Sequence, residues 1–331
     1  MSSSEWLNQI RYDAVEALLS SPNEAIRYFT RRDLMDERVP PIDTIQTIYE
    51  PRNIIKKQLK DGSWKYNGNV HEVYPAYHYY LVATFKNFLT LITRFEFNNN
   101  TECINRAAEF PFSCQSEEGD FRGFIGNQYA TYFTGTILSL LIDAGYENDS
   151  RVSRGMQWLL SMRQQDGGWT IPIQTHKFDK DTIYRLTSQY AEPVESDRSQ
   201  PFSHNWTNMI LQAFSSHSRY RKSMEAITAA RLLKTRFFQP DVYSSYKAAS
   251  NWTRFRFWWP NIVTALRSLS YMGFSSSDPD IILAISKLVN LQSKDGLWNL
   301  EQDRMAKEIE LEERQWVSLK ICRTLKWYLN K

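Results

Sequence analysis

The residues best suited to do chemistry are aromatic rings and histidines near the starts of predicted helices. The chain holds 11 Trp, 18 Tyr and 18 Phe, and aromatic residues make up 14% of it. If such rings face a common space they form an apolar pocket, where a cation gains about 2 kcal/mol from a desolvated ring contact. The alternative is that each ring packs between helix layers. The predicted ligand-contacting residues are Tyr74, Tyr77, His78, Tyr129, Tyr132, His204, Trp206, Trp252, Phe257 and Trp259.

Other common chemistries find no support in the sequence. The cysteines, Cys103, Cys114 and Cys322, are odd in number and have no C-x-x-C spacing, which favours free thiols in a reducing compartment. No G-x-S-x-G, P-loop or G-x-G-x-x-G fingerprint is present. We therefore predict neither a metal nor a cofactor.

Charge and hydropathy narrow the choice of partners. Lys plus Arg number 40 and Asp plus Glu number 37, so the net charge of +3 gives no polyanion-binding signature. No apolar stretch reaches the ~18 residues that a membrane span needs, and the N-terminus lacks a basic start with an apolar run. The sequence predicts a soluble cytoplasmic protein that does not bind nucleic acid.

One heptapeptide occurs four times and indicates which elements position these residues. Each copy follows an apolar-periodic helix and places Gly where a helix end favours a left-handed residue. An aromatic residue then returns toward the helix pair, so the repeat predicts successive helical hairpins. The copies are Gln58-Leu-Lys-Asp-Gly62-Ser-Trp64, Gln115-Ser-Glu-Glu-Gly119-Asp-Phe121, Arg163-Gln-Gln-Asp-Gly167-Gly-Trp169 and Gln292-Ser-Lys-Asp-Gly296-Leu-Trp298.

Apolar spacing and helix start and stop signals predict about twelve helices, among them 42–60 and 127–144. These sort into about six hairpins, which can close into a ring with an inner and an outer layer. The inner helices then start at one rim, where Asn127, Ser203 or Asn205 suits the N-cap role.

The domain organisation follows from the repeat. Because the repeat runs through most of the chain, residues 1–331 are predicted to form a single domain. Two connections, at about 170–202 and 239–258, are longer than ordinary structureless loops. Such insertions are typical of lids and binding loops, so function is expected there.

The heptapeptide resembles the QW repeat of squalene-hopene cyclases and oxidosqualene cyclases, and the glycine-aromatic repeats of protein prenyltransferase β subunits. The resemblance covers roughly residues 24–329. It implies an all-α fold, the (α/α)6 toroid of six inner and six outer helices. The chain looks most like the short, single-toroid bacterial and archaeal proteins labelled squalene cyclase-like or prenyltransferase-like.

The resemblance also implies acid chemistry at one short segment. Class II terpene cyclases protonate an alkene or epoxide with an Asp-x-Asp-Asp motif, in which neighbouring carboxylates keep one acid protonated. The nearest match is Asp179-Lys180-Asp181-Thr182, so the family pattern makes Asp181 the proton donor and Asp179 its helper. Thr182 replaces the third aspartate, and the alternative is a solvated turn or helix cap. The Asp-x-Cys and later His pattern of prenyltransferase zinc sites has no match.

The function predicted from these features is that of a squalene cyclase-like or prenyltransferase-like protein. It would bind, and as an enzyme cyclise or transfer, an isoprenoid or another apolar small molecule. The alternative is a noncatalytic toroid that acts as a ligand-binding module or as a scaffold for a protein partner. The run Phe255-Arg-Phe-Trp-Trp259 suggests either peripheral contact with a membrane surface or burial in the ring.

Overall fold

Helices are the main regular secondary structure of the residues that the structure describes. The structure is a computed structural model and describes residues 5–69, 74, 77–243, 246–255, 259–300 and 307–330. Within these ranges, β-structure is limited to isolated bridges. The predicted all-α class is therefore confirmed. The α-helices are α1 (Ala14–Leu19), α2 (Glu24–Phe29), α3 (Asp43–Gln46), α4 (Tyr49–Lys56), α5 (His78–Phe95), α6 (Glu102–Ser113), α7 (Thr131–Leu141), α8 (Ser150–Ser161), α9 (Lys180–Ser188), α10 (His204–Ser216), α11 (Met224–Lys234), α12 (Ile262–Tyr271), α13 (Pro279–Asn290) and α14 (Lys307–Leu329).

The helices group into two compact units that interleave along the chain. Unit 1 consists of Met1–Ile45, Lys234–Pro240 and Lys247–Lys331, and unit 2 consists of Gln46–Leu233 and Asp241–Tyr246. Unit 2 therefore contains α4 to α10 and nearly all of α11. The organisation of residues 1–331 as one domain stays a prediction.

Two helices form the centre of unit 2. Nearly every residue of α7 and of α10 is buried, as expected for helices that are covered on all sides. They approach closely at Gly135, where a Cβ atom would lie 2.8 Å from the Cα of Ile210. The absence of a side chain at Gly135 thus sets how closely α7 can pack against α10.

Unit 1 is built around the long C-terminal helix α14. This helix packs against α1, α2 and α12, and α12 also packs against α13. The buried Tyr328 donates a hydrogen bond from its hydroxyl to the carbonyl of Leu266, at 2.9 Å. This bond links the end of α14 to the middle of α12. No helix in the described ranges is long and apolar enough to cross a membrane.

The heptapeptide forms the same turn wherever it occurs. Gly62, Gly119, Gly167 and Gly296 all have positive φ, between 81° and 111°, as the sequence predicts. Each glutamine that opens a copy donates to the carbonyl of the glycine in that copy and to a carbonyl of another segment. For Gln292 these acceptors are Gly296 and Tyr12, both at 2.9 Å.

Hydrogen bonds fix the aromatic residue of each copy, at two atoms in the three copies that end in tryptophan and at the backbone N–H alone in Phe121. The indole N–H groups of Trp64, Trp169 and Trp298 donate to helix carbonyls ten positions earlier, at 2.7 to 2.8 Å. The backbone N–H of each aromatic residue donates to a hydroxyl on a following helix. These hydroxyls belong to Thr84, Thr134, Thr207 and Ser318. The heptapeptide therefore joins one helix end to its neighbours through satisfied polar groups.

The third copy differs because Arg163 replaces the opening glutamine. Its guanidinium bonds the Gly167 carbonyl at 3.0 Å and lies 5.7 Å from the centre of the Trp169 ring. The following residue, Gln164, donates to the carbonyls of Asp197 and Gln200. The copy that has arginine in place of the opening glutamine is thus also the copy whose next residue, Gln164, binds the 170–202 insertion.

The two helices predicted at 42–60 and 127–144 need correction, and one insertion contains a helix that the sequence did not predict. The predicted helix 42–60 is divided into α3 and α4, because Pro51 lies in the first turn of α4 and would clash with the carbonyl four residues earlier in a continuous helix. The predicted helix 127–144 begins only at Thr131, so Asn127 does not cap it. The 170–202 insertion contains α9. Ser203 does cap α10, as predicted.

Candidate functional site

Six rings of unit 2 form a continuous series, which we call the aromatic row. Tyr74 stacks on His78 with ring centres 4.3 Å apart, and His78 meets Phe124 edge to face at 5.1 Å. Phe124 stacks on Phe133. Phe133 contacts Tyr132 at 6.1 Å, and Tyr132 lies 4.6 Å from Trp206. The aromatic row thus consists of Tyr74, His78, Phe124, Phe133, Tyr132 and Trp206.

Helix starts supply most of the row. His78 begins α5, Tyr132 and Phe133 lie in the first turn of α7, and Trp206 lies in the first turn of α10. Phe124 comes from the loop before α7, directly after Gly123, whose φ of 98° is left-handed. A side chain at position 123 would disfavour this backbone conformation. Sequence analysis predicted Tyr74, His78, Tyr132 and Trp206 as ligand contacts, and the structure brings these four together.

The row combines fixed rings with accessible ones. Phe133, Trp206 and His78 are buried, whereas Tyr74, Phe124 and Tyr132 are only partly buried. The indole N–H of Trp206 donates to Oε1 of Gln174 at 3.0 Å, which satisfies the one polar atom of that ring. Burial raises the pKa of Tyr132 to about 12. The hydroxyl of Tyr132 is therefore uncharged at neutral pH.

His78 is the one imidazole of the row. Only 8% of the surface of this residue is exposed to solvent. Its Nδ1 atom has no hydrogen-bond partner among the residues that the structure describes. Burial lowers the pKa of His78 from 6.5 to about 4. The imidazole is consequently neutral at pH 7 and retains unused hydrogen-bonding capacity.

A charged cluster joins the second heptapeptide copy to the arginine that directly follows it. The guanidinium of Arg122 forms ion pairs with the buried Asp120 and with Glu118. Burial raises the pKa of the Asp120 carboxyl. The hydroxyl of Tyr129 donates to Glu118 at 2.9 Å, and its ring lies under Arg122. Tyr129 also contacts the Trp158 ring of α8, so the structure places it outside the aromatic row.

Tyr77 and His204 also have polar surroundings. Burial raises the pKa of Tyr77 to about 12, with further contributions from Cys114 and Asp120. The Nδ1 atom of His204 lies 3.5 Å from the carboxylate of Asp241, which is itself buried. Asp241 accepts from the Ser203 hydroxyl at 2.8 Å. His204 thus belongs to a polar cluster at the start of α10.

The acidic pair of the predicted catalytic motif lies at the start of α9. Asp179 and Asp181 are both exposed. Asp179 is the N-cap and accepts from the backbone N–H of Thr182 at 2.7 Å. Because this bond stabilises the ionised form, the pKa of Asp179 is lowered. The helix-cap interpretation of the segment is confirmed for Asp179, and a proton-donating role of Asp181 stays a prediction.

The remaining predicted contacts belong to unit 1 or lie outside the described residues. Trp252 packs edge to face on Phe237 at 5.3 Å, and its indole N–H donates to the Gln239 carbonyl. Trp259 is partly buried and precedes the N-cap of α12. Phe257 lies outside the described residues, so its predicted place beside a ligand stays a prediction.

Several site residues were not anticipated from the sequence. Phe133, Gln174 and Asp241 gave no pattern that distinguishes them from ordinary core or loop residues. Phe124 did have a usable signal, because it stands within Gly123-Phe-Ile-Gly126. Closely spaced glycines indicate an irregular backbone before a helix. This signal indicates that α7 starts after residue 127 and that Phe124 lies in the loop before it.

A groove elsewhere in unit 2 provides a contrast to the row. It has a volume of about 430 Å³ and is lined by Lys60, Asp61, Asn105, Arg106, Glu109 and Tyr146. Nearly all of these side chains are polar or charged. The accessible lining is nevertheless mostly apolar, because the stems of these side chains form it, so the groove is an alternative place for an apolar ligand.

Comparison with known sequences gives a match to part of the chain. Residues 81–218 match the family described as squalene-hopene cyclase C-terminal domain. The matched segment begins within α5 and ends just after α10, so it includes Phe124, Tyr132, Phe133 and Trp206. The predicted resemblance to squalene-hopene cyclases is confirmed for these residues. No curated protein sequence is significantly similar to the chain.

Comparison with solved structures supports the fold. A glycosyl hydrolase of family 88 from Bacteroides vulgatus has a TM-score of 0.51 and 11% sequence identity; the match covers 100% of this chain and 99% of that chain. A variant of the type II terpene cyclase MstE from Scytonema has a TM-score of 0.46 and 12% identity, covering 96% of this chain and 85% of that chain. The match to the family 88 hydrolase, which spans both chains and has a TM-score above 0.5, confirms the predicted α/α-toroid fold class.

Proposed function

We propose that the protein binds an isoprenoid or a similar apolar small molecule against the aromatic row. The observation that carries this proposal is the row itself, in which six rings follow each other in contact. Four of the rings come from α5, α7 and α10, Tyr74 precedes α5, and Phe124 lies in the loop before α7. Three of these rings remain partly exposed, so apolar surface is accessible to a ligand. Flat rings are also suited to cover a methyl-branched chain or a developing cation.

The match of residues 81–218 to a squalene-hopene cyclase domain supports an isoprenoid as the ligand. The position of the acid candidates favours binding over proton-initiated cyclisation. Such cyclisation needs a carboxylic acid that is kept protonated away from water, whereas Asp179 and Asp181 are exposed. A ligand-binding module is therefore favoured, and cyclisation with Asp181 as the acid is the second candidate.

The proposal predicts that removing a central ring of the row weakens ligand binding. We expect Tyr132→Leu to weaken binding of farnesol and squalene about 10-fold, because an aromatic contact contributes ~0.5–1.5 kcal/mol beyond its buried area. Equilibrium gel filtration with the radiolabelled lipids measures both affinities.

A buried tyrosine outside the row provides the matched control. Tyr220 contacts Phe214 and His217 rather than row residues, so Tyr220→Leu should leave both affinities unchanged. Absence of saturable binding of either lipid to the wild-type protein would reject the proposal and favour a scaffold. Equal losses in both variants would remove the row from the binding site.

A further inference from the structure

The buried Nδ1 atom of His78 is the one polar atom of the aromatic row for which the described structure provides neither a partner nor solvent. A buried polar group without a hydrogen bond destabilises the folded protein, and most buried polar groups in proteins are bonded. The other polar ring atom deep in the row, the indole N–H of Trp206, is bonded to Gln174. The polar atom of Trp206 thus has a hydrogen-bond partner, whereas Nδ1 of His78 has none among the described residues.

The imidazole is held in place although its nitrogen is unused. It stacks on Tyr74 at 4.3 Å and meets Tyr79 and Phe124 edge to face at 4.7 and 5.1 Å. These three contacts restrict the ring, so a ligand group that reaches Nδ1 would meet a preorganised partner. A phenylalanine at position 78 would keep the ring contacts and would lack the nitrogen.

The chemistry of a neutral imidazole limits the group that it can recognise. One ring nitrogen donates and the other accepts, and a hydroxyl can complement either. A carboxylate or diphosphate would instead need cationic partners. The guanidinium two residues before Phe124, that of Arg122, is already engaged by Asp120 and Glu118. An uncharged hydroxyl therefore fits this environment better than an anionic group.

We infer that His78 is a specificity-determining residue that hydrogen-bonds the hydroxyl of an uncharged prenyl alcohol lying along the aromatic row. This inference rests on the proposed function, because it assumes that the row is the ligand site. It adds the class of ligand, an apolar chain with a terminal hydroxyl. It also assigns the polar recognition to one atom, Nδ1 of His78.

The test compares farnesol, which has the hydroxyl, with squalene, which lacks it. We expect His78→Phe to weaken farnesol binding about 10-fold and to leave squalene binding within about twofold, because one buried hydrogen bond is lost only for the alcohol. The same variant should unfold at a higher temperature than the ligand-free wild type, since it removes an unsatisfied polar atom. If the imidazole instead stabilises the fold, His78→Phe should unfold at a lower temperature than the ligand-free wild type.

His217 offers a matched control in the same unit. It is buried and meets Tyr220 edge to face at 4.7 Å, but its Nδ1 accepts from the Arg219 backbone N–H at 3.2 Å. His217→Phe should lower the unfolding temperature and leave the ratio of farnesol to squalene affinity unchanged.

The possible failures are distinguishable. If the wild type binds both lipids and His78→Phe changes neither affinity, or weakens both equally, the inference is wrong while the proposed function stands. If the wild type binds neither lipid, the proposed function fails and the inference fails with it. Tighter binding of farnesyl diphosphate than of farnesol would contradict the assignment of an uncharged head group.

Discussion

Substitution of Gly62 tests whether the heptapeptide acts through packing. Gly62 has a φ of +87°, and a Cβ atom there would lie 1.9 Å from the backbone oxygen of Arg106. Gly273 has nearly the same φ, +83°, but no atom lies within 4 Å of its Cβ position. The two glycines therefore share the conformational requirement and differ in the close approach of a neighbouring helix.

The expected magnitudes follow from this difference. A left-handed conformation costs an ordinary L-residue about 1–2 kcal/mol, so Gly273→Ala should lower the free energy of unfolding by about that amount. Gly62→Ala adds a clash with the backbone of α6, and overpacking costs a further ~1–3 kcal/mol. We expect a total loss of about 3 kcal/mol or more for Gly62→Ala.

Urea denaturation followed by circular dichroism measures both losses. Equal destabilisation by the two alanine substitutions would contradict this prediction, because it would mean that the close approach of Gly62 to Arg106 has no effect on the free energy of unfolding. A large loss for Gly62→Ala alone would support the heptapeptide as a device that fixes neighbouring helices.

Two further predictions concern the opening glutamine and the pH dependence of stability. Gln292→Ala should lower the free energy of unfolding by about 2–4 kcal/mol, because Gln292 donates to Gly296 and Tyr12 and also accepts from two backbone N–H groups. Arg163→Ala loses one such bond, so it should lower the free energy of unfolding by less in the same denaturation assay. The pKa of His78 is lowered from 6.5 to about 4 in the folded protein, so the folded state binds fewer protons than the unfolded state in this window. Stability should consequently decrease as the pH falls from 6.5 to 4, by at most ~1.4 kcal/mol per pH unit, and a decrease of the same slope in His78→Phe would contradict this assignment.

Sequence reasoning was most successful where a local rule fixes the backbone. The four heptapeptide glycines adopt positive φ because few other residues do so without strain. The opening glutamine and the closing tryptophan could likewise be assigned to polar and apolar sides of one turn. The hydroxyls that accept from the aromatic backbone N–H groups, such as Thr84 and Ser318, could not be anticipated. They lie twenty positions later, and only the packing of the helices brings them close.

The candidate site shows the same division. Rings at helix starts could be proposed from position alone, and Tyr132 and Trp206 do meet. Tyr129 does not join them, because α7 begins at Thr131 and leaves Tyr129 in the preceding non-helical segment. There the ring faces Arg122 and Trp158. The direction of a side chain at a helix boundary depends on where the helix starts, which sequence patterns locate only approximately.

Photoaffinity labelling locates the bound ligand and so shows whether the aromatic row holds an isoprenoid. The wild-type protein is irradiated with a diazirine analogue of farnesol, and the modified residues are identified by mass spectrometry. We expect saturable labelling in α5, α7 and α10, at or beside His78, Tyr132 and Trp206. Excess farnesol should suppress this labelling. Saturable labelling confined to the groove around Lys60 and Tyr146, or none that farnesol competes with, would contradict it.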